Sequence, residues 1–185
     1  MTKILGISGS LRSGSFNTML LKGAAQLVPE GTRIEIGSIR GIPLYDGDLE
    51  SASGIPEDAQ KLKAQIIDCD GLLLVTPEYN NGIPGVFKNA IDWLSRPASD
   101  ILTVFGNRPV AVIGASPGGF GTILAQDAWL PVLRTLGTRP WFGGRLLVSR
   151  AGKVFSESGD LTDDAMRTQL GNFMSGFAAF IQLNR

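Results

Sequence analysis

Within nine residues, Gly9-Ser10-Leu11-Arg12-Ser13-Gly14-Ser15-Phe16-Asn17 brings together three hydroxyls, a carboxamide and a guanidinium, with no carboxylate among them. A run of donors with a fixed positive charge and flexible glycines suits an anion, because backbone N–H groups can turn inward and Arg12 presents a planar, permanently charged fork. The helix that opens directly after the run adds the positive end of its dipole. Gly-Lys-Ser/Thr occurs nowhere in the chain and Gly-x-Gly-x-x-Gly spacing is absent from this loop, so a single phosphate without a magnesium ligand is the better match.

What is missing narrows the chemistry further. The chain has no histidine, which removes Ser-His and Cys-His nucleophile pairs, an imidazole base and histidine metal ligands. Its one cysteine, Cys69, supports neither a zinc site nor an internal disulfide, in keeping with a reducing compartment. Flanked by Asp68 and Asp70, it reads as a buried thiol with no basic neighbour in sequence to activate it. Difficult chemistry in such a chain falls to a bound organic cofactor that the protein positions, and the phosphate loop reads as its anchor.

At 185 residues and 43% apolar content, the chain is expected to form one domain, residues 1–185, with an ample core. Acidic and basic residues balance at 17 each, which argues against a nucleic-acid or membrane-surface partner and for a small molecule. The short apolar start lacks the form of a signal peptide and no run approaches a membrane span, so a cytoplasmic location is expected.

The elements that must position these residues alternate between strand and helix patterns. Strands are expected at residues 4–8, 33–36, Gly71–Val75, Pro109–Ala115 and 141–148. Helices are expected at 18–28, from Pro56 to near Asp68, around Val86, Ala90 and Trp93, at 122–136 with a kink at Pro131, and from a Thr162 cap through Leu170, Phe173, Met174, Phe177 and Ile181. A long loop containing Pro43-Leu44-Tyr45-Asp46 precedes Pro56. About five βα rounds imply a doubly wound α/β fold, a five-stranded parallel sheet in the flavodoxin-like order 2-1-3-4-5. In that order the loops at 9–17, 76–84 and 116–121, all rich in glycine and turn residues, share the carboxyl rim of the sheet, where a ligand's phosphate and ring could be held together.

The first loop, together with Thr76-Pro77-Glu78-Tyr79-Asn80-Asn81-Gly82-Ile83-Pro84-Gly85 and Lys88-Asn89-Ala90-Ile91-Asp92-Trp93-Leu94-Ser95-Arg96, resembles the NADPH-dependent FMN reductase family, and within it the bacterial quinone and chromate reductases. The resemblance implies bound FMN reduced by NADPH or NADH and reoxidised by quinones, flavins, azo dyes, chromate or ferric complexes. It puts Ser10, Arg12, Ser15, Phe16 and Asn17 around the FMN phosphate and Pro77, Glu78, Tyr79 and Asn80 along the isoalloxazine. Ser116 and Gly118 would offer donors near its pyrimidine end. No side chain is assigned as catalytic, since hydride transfer needs stacking geometry, and Glu78 is expected to act through its backbone.

The family also implies an oligomer. Leu124 and Asp127 stand where an Arg and a Tyr occur in quinone-reductase-type members, at positions used in subunit contacts, so a homodimer is expected before a tetramer, with Arg96 reaching the partner's cleft. Bland readings stand beside these: Arg12 as a surface charge, Ser10, Ser15 and Asn17 as helix caps, Tyr79 as turn structure. Trp93 and the phenylalanines of the last helix are assigned to the core. The alternative function is an electron carrier or flavin-binding protein without its own NAD(P)H chemistry; the neutral chain lacks the acidic surface with which carriers dock.

Overall fold

A computed structural model describes residues 1–183. In chain order the elements are β1 (Thr2–Ser8), α1 (Phe16–Gln26), β2 (Thr32–Gly37), α2 (Gly47–Ser53), α3 (Glu57–Ile67), β3 (Gly71–Val75), α4 (Gly85–Leu94) and α5 (Ile101–Phe105). They continue with β4 (Pro109–Ala115), α6 (Ile123–Thr135), β5 (Arg139–Pro140), β6 (Leu147–Val148) and α7 (Asp164–Leu183). The strands pair in parallel in the order β2-β1-β3-β4-β5, with β6 also on β4. That is the flavodoxin-like order read from the sequence.

The central strands are apolar throughout because helices cover both of their faces. Ile4, Leu73, Val75, Ala111 and Ile113 pack under α1 and α7, whose Leu20, Leu21, Phe173 and Phe177 complete that layer. Leu5, Ile7, Leu72 and Leu74 pack on the other side beneath α3, α4 and α6, with Leu62, Phe87 and Trp129. Each of the buried Val, Leu, Ile and Phe side chains among these contributes about 1.5–3 kcal/mol relative to exposure. Register then fixes the rim: Ser8 lies opposite Val75, and Val75 opposite Ile113, so the loops that follow β1, β3 and β4 emerge side by side.

Three expectations need correction. Of the strand expected over 141–148 only the last two residues pair with the sheet, as β6 against Gly114 and Ala115, while β5, against Pro109 and Val110, lies just before that range. Between them the chain leaves the sheet: Trp141 turns onto Phe173 and Phe177 of α7, and Gly143 and Gly144 lie so close to its ring that a Cβ would meet it at 2.5 and 2.8 Å. The cap of α7 is Asp163, whose carboxylate accepts from the Met166 N–H at 2.7 Å, while the Thr162 hydroxyl donates to Val154 O. A carboxylate so placed also complements the helix dipole, which a hydroxyl does not. Finally, the long loop before Pro56 contains α2, capped by Asp46 through the Asp48 N–H.

Candidate functional site

The first loop is positioned by close approach. Gly9 N–H donates to Val75 O, and a Cβ at Gly9 would lie 2.1 Å from the Phe87 ring, so α4 seats directly beneath the loop only because this residue has no side chain. Ser15 is the N-cap of α1, its Oγ accepting from Thr18 N–H, and Ser10 Oγ accepts from Arg12 N–H. The capping reading of Ser15 is therefore correct as far as it goes. It leaves the N–H groups of Phe16 and Asn17 at the open end of the helix with no protein acceptor among the described residues. The Arg12 side chain is exposed and has no ion-pair partner there.

Asn17 does something its place in the motif does not announce. Its amide nitrogen donates to Ala115 O and its amide oxygen accepts from Ala115 N–H, both at 2.8 Å, in a buried bidentate clamp between α1 and the end of β4. Phe16 stacks on Phe155 with centroids 6.2 Å apart, which turns its ring against the segment before α7.

The second loop is a tight hairpin. Tyr79 and Gly82 exchange backbone hydrogen bonds across Asn80 and Asn81, which sit at φ of 51° and 63°, the left-handed region that asparagine tolerates. Tyr79 is left half-exposed at the lip. The Glu78 side chain serves the fold, which leaves only its backbone for the cleft: Oε2 accepts from the N–H groups of Leu124 and Ala125 at 2.9 and 3.0 Å, capping α6 from 46 residues away. Helix α6 has no acidic residue in its first turn and no side-chain cap of its own, and that deficit is the only sequence sign that an outside carboxylate serves it. Glu78→Ala is expected to lower the stability of the apoprotein by about 1 kcal/mol, the usual cost of a lost cap, while Glu78→Gln recovers part of it because an amide oxygen still accepts. Urea unfolding of the three proteins reads this directly.

The third loop is fixed from both ends. Ser116 N–H donates to Val148 O, Ala151 N–H to Ser116 O and Arg150 N–H to Gly118 O. At its base Gly114 lies against Thr122 and Thr76; a Cβ there would meet Thr122 Oγ1 at 2.0 Å and Thr76 O at 2.2 Å. Around Gly119 nothing lies within 4 Å of the Cβ position, so this side of the rim is open.

Ser10, Arg12, Ser15, Phe16 and Asn17 line one cleft with Pro77, Glu78, Tyr79 and Ser116, leaving Asn80 and Gly118 just beyond it on the same two loops. Its concave floor is about 100 Å³, the scale of a phosphate and its first carbons, and its single carboxylate is turned away to α6. Free N–H groups, an unpaired guanidinium and open space over the third loop fit an FMN phosphate with its ring lying along the rim. A larger groove of about 540 Å³ between α6 and the interrupted edge of the sheet is walled mainly by apolar side chains and carries no such donor set.

Other singled-out residues lie elsewhere. Arg96 is engaged within its own chain, Nε donating to both Glu50 carboxylate oxygens at 3.0 and 2.9 Å, while the Tyr45 hydroxyl donates to the same carboxylate. The Arg96 hydrogen bond holds the Glu50 carboxyl below its ordinary range. Trp93 is buried, with its indole N–H donating to Pro43 O. Cys69 is buried too, and burial pushes its thiol up in spite of Arg108, whose Nη1 lies 3.8 Å from Sγ. Sequence adjacency does not reveal that arginine. Among the described residues there is no group of three or more His, Cys, Asp or Glu arranged to hold a metal ion, and no helix is long and apolar enough to cross a membrane.

Known proteins share this arrangement. The sequence model for the family described as NADPH-dependent FMN reductase matches residues 2–153. An NAD(P)H-dependent FMN reductase of Pseudomonas aeruginosa is 46% identical over 165 residues, covering 89% of this chain and 87% of that protein. A 2-hydroxy-1,4-benzoquinone reductase of a Burkholderia species is 38% identical over 99% of this chain and 98% of its own length. In three dimensions the chain is similar to FerB, a flavoenzyme NAD(P)H:(acceptor) oxidoreductase from Paracoccus denitrificans, with a TM-score of 0.88, 32% identity and coverage of 100% of this chain and 99% of that one. These likenesses favour an oxidoreductase over an electron carrier, and they agree with the three-loop cleft: the chain belongs to the NADPH-dependent FMN reductase family.

Proposed function

We propose that this chain takes hydride from NAD(P)H through FMN seated in the three-loop cleft and passes the electrons to quinones, with flavins, azo dyes, chromate and ferric complexes as further acceptors. The observation that carries the reading is the meeting of nine donor and lip residues from three loops in one cleft at the carboxyl ends of β1, β3 and β4. When bound, FMN supplies the hydride-accepting and electron-donating chemistry. The protein's own groups bind and orient. Ser10, Arg12, Ser15 and the N–H groups of Phe16 and Asn17 hold the phosphate; Pro77, the Glu78 backbone, Tyr79 and Asn80 form the lip along the ring. The Ser116 hydroxyl and the backbone N–H groups of Gly118 and Gly119, which meet no acceptor among the described residues, serve the pyrimidine end, where fixed dipoles stabilise negative charge without reorganising.

The same proposal includes one functional domain over residues 1–185, a cytoplasmic location and a homodimer, the last to be tested by the mass of the protein in solution. Because the lip admits nicotinamide and acceptor in turn, the two half-reactions alternate. The test is to purify the protein, identify its chromophore by mass spectrometry, add NADPH anaerobically and then vary both substrates in the steady state. FMN, bleaching by NADPH and parallel double-reciprocal lines are expected; FAD, no reduction or intersecting lines overturn the reading.

A further inference from the structure

Among the described residues, the non-glycine positions with positive φ are Asn80, Asn81, Asn107 and Arg150. Asparagine tolerates that region through its short polar side chain, and glycine adopts it without strain, but arginine has no such relief. At φ 50° and ψ 43°, Arg150 is therefore where the backbone keeps a side chain at a cost. Strain of this kind collects at ligand clamps and active sites. The Arg150 N–H donates to Gly118 O at 2.8 Å, and the next residue, Ala151, donates to Ser116 O at 3.0 Å. One residue further, a Cβ at Gly152 would lie 3.8 Å from the Phe16 ring. Ser116 and Phe16 both line the three-loop cleft, so the turn that starts at Arg150 borders it from two sides. The N–H accounts for the conformation but not for the residue, since glycine would make the same hydrogen bond. The Arg150 guanidinium is exposed and has neither an ion-pair nor a hydrogen-bond partner among the described residues.

When hydride leaves a nicotinamide, its C4–H bond breaks, both electrons and the proton pass to flavin N5, and the nicotinamide is left as a pyridinium. No second proton comes with it, so one negative charge develops along the pyrimidine edge of the flavin. A histidine would supply a proton there, but the chain has none, and the carboxylate that lines the cleft, Glu78, is turned to α6. The Ser116 hydroxyl and the N–H groups of Gly118 and Gly119 offer neutral dipoles; a full positive charge needs a permanent cation. We propose that Arg150 is that cation: its guanidinium meets the charge at the pyrimidine edge, over the open rim at Gly119, and so raises the reduction potential of the bound flavin. The proposal rests on the FMN reading above.

Dye-equilibration measurement of the two-electron potential of the FMN-loaded protein, with fluorescence titration of oxidised FMN, tests this apart from turnover. Arg150→Gly removes the guanidinium but keeps the left-handed backbone and its N–H, so its urea unfolding is expected to match the wild type. Its affinity for oxidised FMN is expected to stay within a few-fold. Its affinity for reduced FMN is expected to fall about ten- to hundredfold, the scale of a charge-assisted hydrogen bond, which lowers the potential by about 30–60 mV. Arg150→Asn, which also tolerates the backbone, is expected to give the same shift, and Arg150→Lys to recover part of it. Lys153→Met removes the same charge from an exposed position of the same turn and is expected to leave the potential near wild type. A shift in Arg150→Gly and Arg150→Asn no larger than in Lys153→Met, or equal weakening of oxidised and reduced FMN, overturns the assignment and leaves the FMN reading intact. A wild-type protein that takes up no FMN on reconstitution overturns both.

Discussion

Arg12→Ala is expected to weaken FMN binding by about ten- to hundredfold while leaving flavin reduction in the FMN-saturated protein, at saturating NADPH, within a few-fold of normal. A charge-assisted hydrogen bond to a phosphate is worth roughly 1.5–3 kcal/mol, which sets that range. Arg12 is a clean site for the experiment because its guanidinium is exposed and pairs with no acid among the described residues, so its removal strands no buried partner. The phosphate also sits at the end of FMN away from the reacting ring, so the loss acts on occupancy. Fluorescence titration with FMN and stopped-flow reduction measure the two quantities separately. Unchanged affinity returns Arg12 to the status of an ordinary surface charge; a slow reduction step at full occupancy places it at the reacting end instead.

Asn17→Leu is expected to act on the fold itself. Leucine is close in size, yet it leaves the Ala115 N–H and C=O without partners in a place where that residue is 3% exposed. Each unsatisfied buried group costs about 1–3 kcal/mol, so the two together remove about 2–6 kcal/mol from a domain stability that is typically only 5–15 kcal/mol. Urea unfolding of the apoprotein reads the loss independently of cofactor. A loss below about 0.5 kcal/mol, the level of an ordinary surface substitution, contradicts the clamp. An Asn17 variant that unfolds easily and an Arg12 variant that folds normally but binds FMN poorly together separate the structural from the ligating members of one motif.

The sheet order and the site's three loops are legible in the chain because both rest on local signals. Continuous apolar runs mark the buried strands, and clusters of Gly, Ser, Asn and Pro mark the loops between them. The interrupted edge was only partly legible: Gly143-Gly144 is a turn signal inside an otherwise strand-like run, but the packing of Trp141 against α7 is a tertiary preference that no window of residues contains. Thr162 is the cap expected from the sequence, and Asp163, one residue on, takes that place in the structure. Glu78 and Asn17 show the larger gap. Each lies in a motif that suggests ligand contact, and each spends its side chain on backbone groups 46 and 98 positions away. Spacing along the chain reports which face a residue shares, not which distant carbonyl or N–H it will meet.

The Asn17 clamp also dates the site within the life of a nascent chain. β1 can find β2 about 30 residues later and β3 about 67 residues later, as their registers show, so half of the sheet can assemble while the rest is still being made. The start of the phosphate loop is tied to Val75, but its Asn17 end is not fastened until Ala115 arrives, across a separation of 98 residues whose closure as a free loop costs on the order of 4 kcal/mol. The third loop waits longer still, for Arg150 and Ala151 to hold Gly118 and Ser116. A ribosome-bound chain that ends before those residues therefore has the anchor motif in its sequence and no receptacle in space. Cofactor capture is therefore expected in the last part of synthesis, and truncations that keep every motif residue named above but stop short of residue 150 are expected to retain no flavin.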